Sequence, residues 1–352
     1  MPETAAIQNA IFHWFDQYGR KHLPWQQNIT PYRVWLSEVM LQQTTVAAVI
    51  PYFERFTETF PTVADLAAGD VDTVLQLWSG LGYYSRARNL HKAAQMVVNE
   101  FGGQFPRSLD DLQKLPGVGR STAGAIASIS MGIKASILDG NVKRVLARLH
   151  AVHGWPGKSS VAKELWEITD RYTPDTRLPD WTQAMMDMGA TLCTRSKPKC
   201  AECPISQWCV AHAEGRETSY PEPKPKKELP EKHVRMLMLL NENGQVLLEK
   251  RPPTGIWGGL WSFPEFSAEG DLAETLNETL AMQLTDAEVW NSFRHTFSHY
   301  HLHIEPVKAF TEGTANQISD RPDTRWIDLQ EALSVGLASP VKKLLQNLLK
   351  SL

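Results

Sequence analysis

Between Thr4 and about Trp208 apolar residues recur three and four positions apart, with glycine and proline separating the periodic runs. This spacing gathers the apolar side chains on one stripe of each segment and predicts an all-helical domain. Tyr32, Trp35, Leu36 and Val39 form one such stripe, expected to face the core. Thr30-Pro31 reads as an N-cap followed by proline at the first helical position. Ser108-Leu109-Asp110-Asp111 reads as a capping box with Asp in place of Glu. The segment "YPEPKPKKELPEK" carries Pro221, Pro223, Pro225 and Pro230 and should be extended and semi-rigid. Beyond it the period changes. "VRMLMLL" and "QVLLEK" flank the polar turn "NENG", which signals a β-hairpin; "HTFSHYHLHIEP" alternates as a strand does, and "DLAETLNETLAMQL" has helical spacing. The expected organisation is a helical domain over 1–215, a proline-rich linker over 216–232 and an α+β domain over 233–352.

With 352 residues and 42% hydrophobic content the chain can bury two cores, and no apolar run approaches a membrane span. A net charge of -3 gives no global pull toward a polyanion. Basic residues do bunch at Arg86/Arg88/Lys92, Lys143/Arg144/Arg148 and Arg195/Lys197/Lys199, but a charge run is more often a solvated face than a binding patch. The opening "MPETAAIQNAIFHWF" has neither a basic start nor an apolar signal core, so a cytoplasmic protein in a reducing compartment is expected; a soluble monomer is also expected.

The four cysteines, Cys193, Cys200, Cys203 and Cys209, fall within one C-x6-C-x2-C-x5-C loop. A reducing compartment disfavours disulfides. Structural zinc usually takes two close pairs separated by a longer spacer. Here one close pair sits between two outlying ligands, a spacing that favours a 4Fe-4S cluster with one cysteine per iron.

"LQKLPGVGRSTAGAIASI" sets two glycines, Gly117 and Gly119, in a turn between helices, where uncovered backbone N–H groups suit a phosphate oxygen. An ordinary helical hairpin would read the same way. "LPGVGRSTA", then "ILDGNVKRVLARL", then the cysteine loop, in that order and separation, resemble the helix-hairpin-helix DNA glycosylase superfamily over roughly the first 210 residues. The resemblance implies that Asp139 is a catalytic carboxylate, though it could equally serve as the N-cap of the helix that follows. Relatives resembling endonuclease III carry a lysine where this chain has Ser121, and a hydroxyl cannot form a Schiff base. A monofunctional glycosylase is therefore expected.

"LSEVMLQQT", "RKHLPWQ", "GLGYYSRARNLHKAA" and "WTQAMMDMGATLC" resemble the MutY proteins, which remove adenine paired with 8-oxoguanine or guanine. That resemblance implies Glu38 as general acid and an adenine pocket lined by Trp25, Ser121 and Gln183. It implies Leu41, Gln42, Gln43 and Tyr83 as residues entering the opened duplex, with Gly117, Gly119 and Lys143 among the DNA contacts. The partner is then double-stranded DNA containing these mispairs. On residues alone Glu38 could lie on a solvated helix face, and Tyr83 could be a core aromatic. Chemistry favours an acid, because neutral adenine is a poor leaving group unless its ring is protonated.

The C-terminal "VRMLMLLNENGQVLLEKRPPTGIWGGLWSFPEF" resembles the opening of a Nudix domain. The glutamate-rich metal helix of Nudix hydrolases has no counterpart in "SAEGDLAETLNETLAMQ", where Glu269, Glu274 and Glu278 are scattered, so pyrophosphatase chemistry is not expected. In the MutY family this domain reads 8-oxoguanine through a loop that matches Phe297, Ser298 and His299. His299, His301 and His303 share a strand face on paper and form a loose candidate metal site. The rival readings are an endonuclease III-like glycosylase-lyase, a noncatalytic iron-sulfur DNA-binding protein and a Nudix hydrolase.

Overall fold

The computed structural model describes residues 2–225, 228–267, 283–312 and 323–352. By contacts the chain forms two compact units, Met1–Gly69 with Asn89–Lys226, and Asp70–Arg88 with Lys227–Leu352. The segment Asp70–Arg88 thus groups with the C-terminal half, although its helical pattern continues the N-terminal run.

The described part of the first unit is helical. Its core gathers Ile7, Ile11 and Trp14 from the helix Pro2–Tyr18, Val142, Val145, Leu146 and Leu149 from the helix Gly140–Leu149, and Trp181, Ala184 and Met185 from the helix Leu178–Asp187. The expected stripe is buried as well: Tyr32, Trp35, Leu36 and Val39 are all inaccessible on the helix Pro31–Leu41. Thr30 Oγ1 accepts from Arg33 N–H at 3.2 Å and Ser108 Oγ from Asp111 N–H at 3.0 Å, so both predicted caps form. Each such cap stabilises its helix by about 1 kcal/mol.

One glycine brings two backbones together. A Cβ on Gly124, in the helix Arg120–Met131, would stand 2.3 Å from the Ser136 carbonyl oxygen. Only a residue without a side chain lets the segment leading to Asp139 lie this close to that helix.

Among the described residues the second unit holds an eight-stranded sheet made of β1 (Glu231–Leu240), β2 (Gln245–Lys250), β3 (Trp261–Ser262), β4 (Glu265–Ser267), β5 (Gln283–Val289), β6 (Phe293–Thr296), β7 (His301–Glu312) and β8 (Thr324–Asp328). Its order is β3-β2-β1-β7-β5, with β4 on β1, β6 on β7 and β8 on β2. β1 and β2 are the predicted hairpin. Gly244 takes φ +73 in its turn, and Asn241 Oδ1 accepts from the N–H groups of Asn243 and Gln245. β1 pairs in parallel with β7, and Leu237 and Leu239 of β1, Leu247 of β2, and Val307 and Ala309 of β7 form one buried cluster. A helix over Ser339–Ser351 buries Val341, Leu344, Leu345 and Leu348.

The run "HTFSHYHLHIEP" departs from the expected single strand. It folds as β6 and β7 around a turn closed by Phe297 N–H donating to the Tyr300 carbonyl at 2.9 Å. Period-two alternation persists through a tight turn, so the sequence pattern alone does not reveal it. His299 consequently sits in the turn, away from the strand carrying His301 and His303. His301 Nδ1 lies 2.9 Å from Thr296 Oγ1 and His303 Nε2 lies 2.5 Å from Glu231 Oε2; no histidine trio gathers as a metal site among the described residues. The stretch with Glu269, Glu274 and Glu278, and most of the predicted helix "DLAETLNETLAMQL", lies outside the described residues.

Candidate active site and cofactor loop

A cavity of about 790 Å³ opens in the first unit. Its lining includes Trp25, Glu38, Leu41, Gln42, Gln43, Ser121, Asp139 and Gln183, residues that lie up to 158 positions apart in the chain. Trp25 is held by the short turn Pro24–Gln26 and meets the Phe53 ring edge-on at 5.5 Å. Gln42 ends the Pro31–Leu41 helix, and Gln43 follows it at φ +58, a left-handed conformation that costs a non-glycine residue about 1 kcal/mol or more. Gly117, Gly119 and Lys143 lie outside the cavity lining. Gly117 takes φ +79 in the turn before the Arg120–Met131 helix, and a Cβ at Gly119 would meet nothing within 4 Å, so this helix entrance is open.

Glu38 and Asp139 are the two carboxyls of the cavity. Each has some solvent access through the cavity mouth but is surrounded by protein at its depth. Burial pushes the Glu38 carboxyl up to about 8, and the nearby charge of Asp139 adds to the shift. Burial also raises Asp139, but donors oppose it: Val142 N–H at 2.8 Å, the Asn141 side-chain amide at 3.0 Å, and the charge of Arg144. Asp139 is thus both N-cap of the Gly140–Leu149 helix and a carboxyl held by backbone and side-chain donors. The charge of Asp139 thus favours the protonated form of Glu38, while the donors around Asp139 favour its own anion against the effect of burial.

Ser121 Oγ accepts the Leu138 N–H at 3.0 Å, so this hydroxyl fixes the backbone one residue before Asp139 while lining the cavity. The other wall rests on Asp187, which is fully buried. It accepts from Arg20 N–H at 2.7 Å, from Arg20 Nε at 2.8 Å and from Gln183 Nε2 at 2.8 Å, and thereby orients the Gln183 amide. Asp187 was not singled out by sequence reasoning; its one signal was the four-residue spacing from Gln183 on a helix.

After Asp187 the helix widens into a π turn over Met188–Leu192, closed by Cys193 N–H donating to the Met188 carbonyl at 2.7 Å. Here Gly189 touches the start of the Asp139 helix. Arg144 ties the region together, donating to the Gly189 carbonyl at 2.6 Å, to Asn141 Oδ1 at 2.9 Å and to the Cys193 carbonyl at 2.7 Å. A Cβ at Gly189 would stand 2.4 Å from Asn141 Cβ and 2.8 Å from its Cα, so backbone must move. Asn141 holds Asp139, and displacement by about 1 Å at a reacting group can cost on the order of 10²-fold in rate. With Asp139 in the catalytic role that the family resemblance implies, Gly189→Ala should lower the single-turnover rate by about that factor, and overpacking should cost roughly 1–3 kcal/mol of stability. Wild-type rates in this variant would show that Asp139 is not positioned through Asn141.

In the second unit a cavity of about 390 Å³ is lined by Tyr83, Arg88, Trp257, His295, Phe297, Ser298 and His299, among others. Tyr83 and the Phe297–His299 turn, more than 200 residues apart, thus share one cavity. Trp257 packs on Phe297 at 5.2 Å and on His295 at 5.5 Å, giving an aromatic wall. Tyr83 is 52% exposed, and both Tyr83 (φ +49) and Trp257 (φ +53) are in the left-handed region. Strain of this kind persists where a surrounding structure enforces it and is frequent at binding sites.

Cys193, Cys200, Cys203 and Cys209 are unbridged and line one small cavity in the first unit. Burial pushes the Cys200 and Cys203 thiols up to about 11, and the other thiols add to the shift at both. Four soft donors crowded around one space fit a cationic metal-sulfur group that would take them as thiolates. Buried Arg148 anchors the loop, donating to the carbonyls of Thr194 at 2.7 Å, Arg195 at 2.8 Å and Tyr220 at 2.9 Å.

Fold and site together define a class, and comparison with known proteins agrees with it. Residues 36–171 match the family model described as HhH-GPD superfamily base excision DNA repair protein, residues 193–209 that of the iron-sulfur binding domain of endonuclease III, and residues 235–347 that of the NUDIX domain. Among solved structures, a thermostable thymine-DNA glycosylase is similar over 60% of this chain and 98% of its own (TM-score 0.54, 26% identity). A non-covalent endonuclease III–DNA complex is similar over 61% and 97% (TM-score 0.52, 26% identity). This is a base excision DNA repair glycosylase with an iron-sulfur loop and a Nudix domain. The adenine DNA glycosylase of Buchnera aphidicola subsp. Acyrthosiphon pisum is 40% identical over 97% of both chains, and that of Homo sapiens 33% identical over 97% of this chain and 73% of its own. The chain belongs to the adenine DNA glycosylase family. It is an enzyme acting on N-glycosyl bonds, its partner is DNA, and its cofactor is a 4Fe-4S cluster. No helix among the described residues is long and apolar enough to cross a membrane.

Proposed function

We propose that this enzyme hydrolyses adenine from its mispairs with 8-oxoguanine or guanine and leaves an abasic site. The observation that carries the reading is the pair of unequal carboxyls in one cavity, Glu38 pushed up to about 8 and Asp139 held by donors that favour its anion. Extruded from the duplex, the adenine enters between Trp25, Ser121 and Gln183. Glu38 gives its proton to a ring nitrogen of the base. The C–N bond breaks with its electron pair going to the base, and the positive charge left on the sugar faces the Asp139 carboxylate. Water then adds to the sugar carbon and gives a proton to the Glu38 carboxylate, which restores the acid. Ser121 offers no amine, so no Schiff base forms and the strand stays intact.

Leu41, Gln42, Gln43 and Tyr83 occupy the space left in the opened duplex, and Phe297, Ser298 and His299 meet the opposite base. A hydroxyl and an imidazole can hydrogen-bond the Hoogsteen edge that 8-oxoguanine alters. Phosphates dock at the Gly117 and Gly119 amides and at Lys143, beside a helix N-terminus. Cys193, Cys200, Cys203 and Cys209 hold the cluster, which supplies a rigid anchor for the basic loop rather than a reacting group. The enzyme acts as a monomer in the cytoplasm, on nucleoid DNA.

The test is a duplex panel with adenine opposite 8-oxoguanine, guanine or thymine. Abasic sites are expected opposite the two purines and revealed as breaks only after alkali. Breaks without alkali would favour a lyase, and no adenine release would favour a noncatalytic protein.

A further inference from the structure

The surroundings of the four thiols are uneven. On one side the neighbours are cationic: Arg148 Nη1 lies 3.4 Å from Cys193 Sγ, and Arg144 Nε donates to the Cys193 carbonyl at 2.7 Å. Cys209 Sγ meets the Arg148 carbonyl at 3.4 Å. Cys200 has different company. Its Sγ, a ring nitrogen of His212 and a carboxylate oxygen of Glu217 all lie within 4.8 Å of one another. His212 Nδ1 is 2.6 Å from Glu217 Oε1, and both side chains line the thiol cavity. Among the described residues this is the one trio of such donors close enough to share a metal ion. His212 is exposed, so this corner opens to solvent.

Thiolates suit cluster iron, whereas an imidazole and a carboxylate suit a single divalent ion. We propose that His212 and Glu217 form an exit site for one iron at the Cys200 corner of the cluster, an inference that rests on the four cysteines being its ligands. An outside one-electron oxidant such as ferricyanide converts [4Fe-4S]2+ to [4Fe-4S]3+. The bonds from that iron to Cys200 Sγ and to its three cluster sulfides then break, each electron pair staying on sulfur. Fe2+ passes to the His212 imidazole and the Glu217 carboxylate, and [3Fe-4S]+ remains on Cys193, Cys203 and Cys209. Charge and atoms balance, and the four sulfides stay behind.

The test uses the full-length holoprotein oxidised with ferricyanide, following the three-iron EPR signal and ferrous iron captured by a chromogenic chelator. In the double variant Glu217→Gln, His212→Asn both should appear about 10-fold more slowly, the lower end of what outer-shell partners do to metal binding. The neighbouring Glu214→Gln should match wild type. Rates in the double variant within twofold of wild type, or faster, overturn the exit site. So does a double variant that purifies without its cluster, because the two side chains would then be needed to hold iron, not to release it. Iron and sulfide analysis of the wild type separates the premises: fewer than four irons overturns the ligand assignment and the exit site with it, whereas four irons with unchanged variant kinetics overturns the exit site alone.

Discussion

Glu38→Gln is expected to lower the single-turnover rate of adenine release by about 10²–10⁴-fold while changing duplex affinity by no more than a few-fold. The factor is what a positioned general acid contributes. Gln keeps the shape and can still hydrogen-bond the base, but has no proton to give. Binding should survive because Glu38 lies inside the cavity, away from the Gly117–Gly119 turn proposed to meet phosphates. A stability signature accompanies the loss. The folded-state carboxyl titrates near 8 against an ordinary value of 4.5, so wild-type Glu38 costs nothing below 4.5 and becomes progressively destabilising as pH rises toward 8. The variant should therefore match wild type at pH 5 and exceed it at pH 9 by roughly 1–3 kcal/mol, after discounting for the open cavity. Rapid adenine release by Glu38→Gln would remove Glu38 from the acid role, whatever its effect on melting.

Asp139→Asn should cost at least about 10³-fold, by loss of a preorganised anion facing the developing positive charge. Asparagine caps helices about as well as aspartate, so the Val142 N–H keeps an acceptor and the melting temperature should move little. Asp139→Ala removes the cap too and should be less stable by a further ~1 kcal/mol. The two carboxyls are coupled. Without the Asp139 charge one cause of the raised Glu38 pKa disappears, so the basic limb of any residual activity should move to lower pH. A variant with near wild-type turnover and an unmoved limb would mean that the carboxyls act independently and that Asp139 is a cap alone.

Much of this site could be read from the chain because its chemistry is carried by residues whose neighbours in sequence are also neighbours in space. Asp139 sits at a helix start that its own side chain caps, and Gly117 marks a turn by its positive φ, whereas Gly119, read as its twin, is extended. The four cysteines fall within one loop. What escaped depends on distant partners. Asp187 gains its role from Arg20, 167 residues away. Gly189 matters through a 2.4 Å approach to Asn141 that no local pattern encodes. The π turn over Met188–Leu192 continues the apolar spacing of the helix before it, so periodicity passes straight over the change. Residues 70–88 read as one more helical stretch, yet their contacts are made with the C-terminal half, as in Lys250 Nζ to Asp72 Oδ1 at 2.7 Å. Strand alternation in "HTFSHYHLHIEP" likewise hid a turn, because polar and apolar residues keep alternating through Phe297–Tyr300.

The division of labour between Glu38 and Asp139 is tested most directly by the single-turnover rate of adenine release, measured from pH 5 to 10 on a duplex with 8-oxoguanine opposite. The proposed mechanism uses the acid form of Glu38, so the rate should hold below pH 8 and fall about tenfold per pH unit above it, with the fall absent from the residual rate of Glu38→Gln. A rate that stays level or rises through pH 8 in the wild type would contradict the account.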